Sequence, residues 1–322
     1  MIRRSLPHVS DELRPAIHGG DVFVLPPSPA ARALVDAVWR DVRAELGDSP
    51  RRAHEQMDPD AWFAAIGRIR RRLYTDAGYH ARVRALLDAA GLDPSHTAFD
   101  PLRLRVVRPG GHLDPRARAV YYPHRDTWYG HSSSIITCWL ALHDAPAAET
   151  FAIYPDLLAK PVPNSSELFD YDAWVADGWD LKIGWQSRDH GLTARYPGVT
   201  GEIPPAAPLE LDVQKGELVL FSGAHFHATR PHTAARTRLS LDFRAVDLRD
   251  HALGAGAPSV DDRSRGDALR DYVHPVPSRR GGESREAPGT WHDDPSPRYV
   301  ADARSDGPTH PVDPNAAGTS DT

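Results

Sequence analysis

Leu102-Arg-Leu-Arg-Val-Val-Arg-Pro-Gly-Gly111 is where the chain changes its period. Leu102, Leu104 and Val106 alternate with Arg103, Arg105 and Val107, the mark of a strand with one buried face, and Pro109-Gly110-Gly111 ends it. Upstream, after a short strand at Val22 to Leu25, the spacing is helical. Ser28-Pro29 supplies an N-cap and a proline at the first position of a helix to about Leu46, with Ala33, Leu34, Val38 and Trp39 on one face. Two more helices are predicted, from Pro59 to about Leu73 and from His80 to about Ala90, the second stopped by Gly91. Downstream, strand-like runs recur at Ala119 to Tyr122, Ser134 to Leu142, Phe151 to Tyr154, Leu209 to Val213, Glu217 to Ser222 and Arg238 to Val246. Helices followed by short strands between Gly/Pro turns predict a mainly β domain with flanking helices, its core a double-stranded β-helix of the jelly-roll, cupin-like kind.

Composition narrows the function. The 322 residues carry 38 Lys+Arg against 44 Asp+Glu, a net charge of -6 without a block of like charge, which gives no footprint for nucleic acid or an anionic membrane surface. A small-molecule substrate is the expected partner, with the chain a monomer or homodimer. No window approaches eighteen apolar residues and no apolar stretch follows the charges at the N-terminus, so a cytoplasmic protein is expected. Cys138 is the only cysteine, in the apolar setting Ile-Thr-Cys-Trp-Leu, and reads as buried filler in a reducing compartment.

Residues 1–20 are expected to be flexible, and 21–274 to form the domain. Within it, the stretch from 155 to 208 is too long for a turn and carries Tyr171, Trp174, Trp179, Trp185 and Tyr196, which suits a lid over a site. Residues 275–322 are rich in Pro, Gly, Ser and Asp and poor in aliphatics, and are expected to be a disordered tail.

Tyr121-Tyr-Pro-His-Arg-Asp-Thr-Trp-Tyr-Gly-His131 concentrates chemistry. In an extended segment His124 and Asp126, two apart, face one side and can bind one ion, with Arg125 and Thr127 facing away. A third ligand should come from a distant strand, and Gly216-Glu-Leu-Val-Leu-Phe-Ser-Gly-Ala-His-Phe-His227 is an apolar run ending in histidines. Alternation places His225 and His227 on one face and does not choose between them. The spacing to Arg238 favours His227 over His225 and His232. Two histidines and one carboxylate leave three positions of an octahedral ion open, as in non-haem Fe(II) oxygenases. 2-Oxoglutarate fills two of these positions, and its far carboxylate calls for an arginine fork. Arg238 opens the strand Arg-Leu-Ser-Leu-Asp-Phe, with Ser240 on the same face, and is preferred to Arg236 and Arg244. His-Arg-Asp also opens a kinase catalytic loop, but His131 stands where that loop needs Asn.

His124-x-Asp126, the strand ending in His227 and Arg238-x-Ser240 together resemble the Fe(II)/2-oxoglutarate-dependent dioxygenases, and among them the phytanoyl-CoA dioxygenase and ectoine hydroxylase group. Asp-Thr-Trp128 after the metal motif and Trp-Leu-Ala-Leu142 on the next strand are similar to that group as well. The likeness runs from about Phe99 to Val246. It implies His124, Asp126 and His227 as iron ligands, Arg238 and Ser240 as the 2-oxoglutarate anchor, and Thr137 as a hydroxyl near that co-substrate. It departs from the group at His232, where Asn is usual, and in lacking a Pro-Gly-Ser-His landmark. The resemblance implies Fe(II), 2-oxoglutarate and O2, and hydroxylation of an unactivated C-H bond in a bacterial biosynthetic pathway. Asp126 argues against the halogenases of the superfamily, which lack that carboxylate, while desaturation or ring formation would use the same ligands. Arg188, His190 and His131 suit a polar or anionic substrate. Two other classes share the residues: a cupin-like isomerase or hydrolase that does not use 2-oxoglutarate, and a non-catalytic jelly-roll binding protein.

Overall fold

A computed structural model describes residues 1–7, 12–114, 120–177 and 196–275. The helices are α1 (Leu13–His18), α2 (Pro29–Leu46), α3 (Ala53–Gln56), α4 (Pro59–Thr75), α5 (Ala77–Ala89), α6 (Tyr171–Asp177) and α7 (Leu248–Leu253). The Ser28 hydroxyl caps α2 by accepting from Ala31 N, and Asp58 caps α4 through Asp60 N and Ala61 N.

The strands are β1 (Ile2–Arg3), β2 (Val22–Leu25), β3 (Thr97–Phe99), β4 (Arg103–Val107), β5 (Ile135–Ala141), β6 (Phe151–Tyr154), β7 (Leu218–Ser222), β8 (Phe226–Thr229) and β9 (Arg238–Asp247). Seven form one sheet in the order β1-β2-β7-β5-β9-β3, with β4 beside β9 as well, while β6 and β8 pair separately. The product is sheet-rich with flanking helices.

The large sheet is buried on both faces, and the period of two decides what each face meets. Leu239, Leu241, Phe243 and Ala245 of β9 join Ile136, Cys138 and Leu140 of β5, Leu104 of β4 and the apolar stripes of α2, α4 and α5 in the main core. On the other face Trp139, Val219 and Phe221 pack against Phe151 and Ile153 of β6. In the same direction point Arg103 and Arg105 of β4 and Arg238, Ser240, Asp242 and Arg244 of β9, because Arg103 is registered with Asp242 and Arg105 with Ser240.

Several expectations change. Ile2–Arg3 pairs with Val22 and Phe23, and α1 buries Leu13 and Ile17, so these parts of the N-terminal twenty residues are structured. Leu209 to Val213 forms only isolated bridges, Ile153 to Leu209 and Ala145 to Val213. Val120 and Tyr121 lie in a 3-10 turn rather than a strand. The run 216–227 breaks into β7 and β8, which belong to different sheets. The residues 275–322 lie outside the described ones except for Pro275, as do Trp179, Trp185, Arg188 and His190.

Candidate metal centre

His124 and His227 are brought together by the backbone. Each donates its N-H to the other's carbonyl, at 3.0 and 2.9 Å, an isolated antiparallel bridge that sets both side chains on one side. The ring centroids are 4.4 Å apart. His124 Nδ1 lies 2.7 Å from the Tyr122 carbonyl and His227 Nδ1 lies 2.9 Å from the His225 carbonyl. A carbonyl only accepts, so in the neutral rings Nδ1 carries the proton and Nε2 offers its lone pair inward. Burial, with His124 alongside, pushes His227 down to about 3, which keeps it neutral and able to ligate.

Asp126 completes the cluster. One ligand atom from each of His124, Asp126 and His227 lies within 4.8 Å of the others, and these could hold a metal ion. Arg125 is extended, but Asp126 opens a 3-10 turn, Asp126–Tyr129, fixed by a bond of 2.9 Å from Asp126 N to the Gly223 carbonyl. Gly223 itself lies tight against β5, where a Cβ would meet Ile135 Cδ1 at 2.3 Å. Arg125 points away from the cluster, into bonds with Asp261 and the carbonyls of Ala224, Leu157 and Lys160. Asp261 also accepts from Trp128 Nε1 at 2.9 Å, so the loop carrying the cluster is tied to the C-terminal part of the domain.

The Asp126 carboxylate is fully buried, and both oxygens are occupied. Arg244 Nη2 donates to Oδ1 at 2.6 Å and Thr137 Oγ1 to Oδ2 at 2.5 Å. Burial works against the ionised form, but the Arg244 guanidinium holds the carboxyl well below its ordinary range. Thr137, read from sequence as a co-substrate contact, spends its hydroxyl on this carboxylate. Arg244, considered only as a rival to Arg238, is the residue that reading missed. The pattern Arg238-x-Ser-x-Asp-x-Arg244 carried the signal, four polar residues on one face of a wholly buried strand.

The other end of that face differs. Arg238 is 2% exposed, yet among the described residues its Nε and Nη1 have no hydrogen-bond partner, and neither has Ser240 Oγ or the Tyr121 hydroxyl. Burial and the proximity of Arg105 lower Arg238 to about 10, which leaves it charged at neutral pH. Its guanidinium lies 5.9 Å from the Trp139 ring, Trp139 lies 5.4 Å from Phe151, and Phe151 lies 6.3 Å from His227. An unpartnered buried cation beside free hydroxyls is a site for an anion.

His225 and His232 do not reach the cluster. His225 lies in the turn between β7 and β8, its N-H on the Ser222 carbonyl, so strand parity does not apply to it. His232 Nε2 lies 2.7 Å from the Arg236 carbonyl. Tyr129 is 5.3 Å from His124, and Phe169 and Tyr196 lie 5.8 and 5.9 Å from Tyr129. The long segment after β6 thus supplies aromatic rings that pack on Tyr129, the ring beside His124.

No protein-family model matches the sequence, and comparison with curated proteins gives no match. Among solved structures, the chain is similar to the epimerase SnoN from nogalamycin biosynthesis, in complex with Fe3+, α-ketoglutarate and nogalamycin RO, at 16% identity over 84% of this chain and 96% of that one, with a TM-score of 0.41. EvdO2 from Micromonospora carbonacea var. aurantiaca, complexed with 2-oxoglutarate, is 11% identical over 76% of this chain and 94% of its own, with a TM-score of 0.42. The non-heme monooxygenase ThoJ is 15% identical over 67% of this chain and 70% of its own, with a TM-score of 0.39.

Proposed function

We propose that this protein is an Fe(II)- and 2-oxoglutarate-dependent oxygenase on a jelly-roll core, of the phytanoyl-CoA dioxygenase and ectoine hydroxylase kind, hydroxylating a C-H bond of a polar small molecule in a bacterial biosynthetic pathway. The observation that carries it is one sheet face with a two-histidine, one-carboxylate cluster at one end and a buried arginine with free donors at the other. The donor set fits a divalent ion with open positions: two Nε2 lone pairs, a carboxylate, and N-H groups turned outward.

In this reading His124, Asp126 and His227 hold the iron. The chemistry supplied there is the coupled conversion of 2-oxoglutarate, O2 and R-H into succinate, CO2 and R-OH. Arg238 and Ser240 bind the far carboxylate of 2-oxoglutarate through the atoms that lack partners, and Tyr121 adds a hydroxyl close to them. Thr137 and Arg244 orient Asp126. Tyr129, Phe169 and Tyr196 wall the substrate side and keep water away.

Succinate release tests the proposal. Incubation with Fe(II), ascorbate, 2-oxoglutarate and O2 is expected to give slow succinate formation, accelerated by the true substrate. No succinate with any polar candidate would sink the oxygenase reading and leave a metal enzyme that does not use 2-oxoglutarate.

A further inference from the structure

We infer that Arg244 cancels the charge of Asp126 in advance, so that the protein alone holds a divalent ion weakly and holds it firmly once a dianionic chelator joins it. This rests on the proposed metal site, and concerns what the residues around it do to the ion.

Asp126 of the cluster stands in a network of three carboxylates and three guanidiniums, the others being Asp100 between β3 and β4, Arg103 and Arg105 of β4, and Asp242 and Arg244 of β9. Arg103 lies 3.1 Å from Asp100, Arg105 binds Asp242 in two places at 2.9 and 2.7 Å, and Arg244 lies 2.6 Å from Asp126. Arg244 also reaches Asp100 at 3.4 Å and Asp242 at 3.8 Å, which links the pairs into one network. Each carboxylate has its own arginine, so the sum is zero. Thr137 and the two ligand histidines add nothing to it.

A cluster of two neutral histidines and a free carboxylate would present one negative charge to the ion and leave the filled site with a single positive charge. Here the carboxylate arrives already neutralised, and the filled site keeps both charges of the ion. Asp126 is fully buried and Arg244 nearly so, in a medium where charges act strongly over several ångströms. The ion must also share Oδ1, the oxygen 3.6 Å from His124 Nε2, with the Arg244 donor. An anion that chelates through two oxygens offsets the excess charge, whereas water does not.

The test is Co(II) binding to the full chain at buffered free Co(II), followed by its visible absorption, without and with oxalate. Oxalate carries two negative charges and has no far arm, so Arg238 plays no part. For the wild type, oxalate is expected to tighten Co(II) binding by roughly tenfold or more. Arg244→Met is expected to bind Co(II) alone about tenfold more tightly and to lose most of the oxalate effect, while Arg244→Lys keeps it. Asp100→Asn shifts the balance the other way, weakening Co(II) alone and enlarging the oxalate effect. If Arg244→Met weakens Co(II) equally with and without oxalate, Arg244 merely positions Asp126 and the inference is overturned. Should that variant fail to fold by circular dichroism, Asp100→Asn decides, and unchanged Co(II) and oxalate binding overturns the inference. Wild-type protein that binds no more Co(II) than His227→Ala overturns the metal site itself, whereas binding without an oxalate effect overturns only the inference.

Discussion

The two ends of the polar face of β9 carry the same residue in opposite states. Arg244 has its charge paired, with Asp126, Asp100 and Asp242 around it although its Nε has no hydrogen-bond partner among the described residues, and those carboxylates lift it well above its ordinary range despite burial. Arg238, six residues earlier on the same face, is as deeply buried, yet two of its nitrogens have no partner among the described residues, and burial lowers it to about 10. A buried guanidinium whose charge is paired with carboxylates belongs to the structure, while one with no such partner among the described residues has a ligand to find. The contrast separates the face into a metal end and an anion end.

The largest test breaks the metal end outright. His227→Ala or Asp126→Ala is expected to reduce metal binding to background by inductively coupled plasma measurement, with the fold retained by circular dichroism. Next comes the opposite face of the same strand. Leu241→Ala is expected to cost about 2–5 kcal/mol of stability in denaturant unfolding, with metal binding unchanged, because it opens a cavity in the core on the helices. If metal binding falls as well, the two faces are not independent.

At the anion end, Arg238→Met is expected to raise the KM for 2-oxoglutarate roughly a hundredfold and leave Co(II) affinity alone, since it removes a buried partner of a charged group. Equal losses in both would erase the distinction between the ends.

The pH response is smaller. His131 is buried, with Nδ1 2.9 Å from the Tyr272 hydroxyl, and burial together with Arg244 sets it well below 6.5. As pH falls through 6.5 the unfolded chain takes up this proton first, so the stability held above that pH is lost below it. The slope is about 1.4 kcal/mol per pH unit for one such group. His131→Gln is expected to flatten the thermal unfolding profile between pH 6.5 and 5 by that amount, and an unchanged slope would show that the proton is taken up elsewhere. The smallest effect is expected from Tyr121→Phe, a loss of about threefold to tenfold in 2-oxoglutarate affinity by calorimetry, the worth of one hydrogen bond.

Local patterns carried most of the element boundaries. Ser28-Pro29 marked the start of α2 and the Leu/Arg alternation marked β4, because caps and side-chain parity depend on neighbours a few residues away. The sequence by itself also paired His124 with Asp126 and put Arg238 and Ser240 on one face. Parity failed at His225, where the chain turns between sheets, and it could not say which partner Thr137 would take.

What only the tertiary structure decided is which arginine is spent. Arg238 and Arg244 share a strand, a face and burial, so no local pattern separates them. The partner of Arg244 is a carboxylate 118 residues earlier in the chain, delivered by a turn bonded to the Gly223 carbonyl, while nothing among the described residues takes the free nitrogens of Arg238. Charge compensation depends on distances across the fold, and spacing along the chain does not encode them.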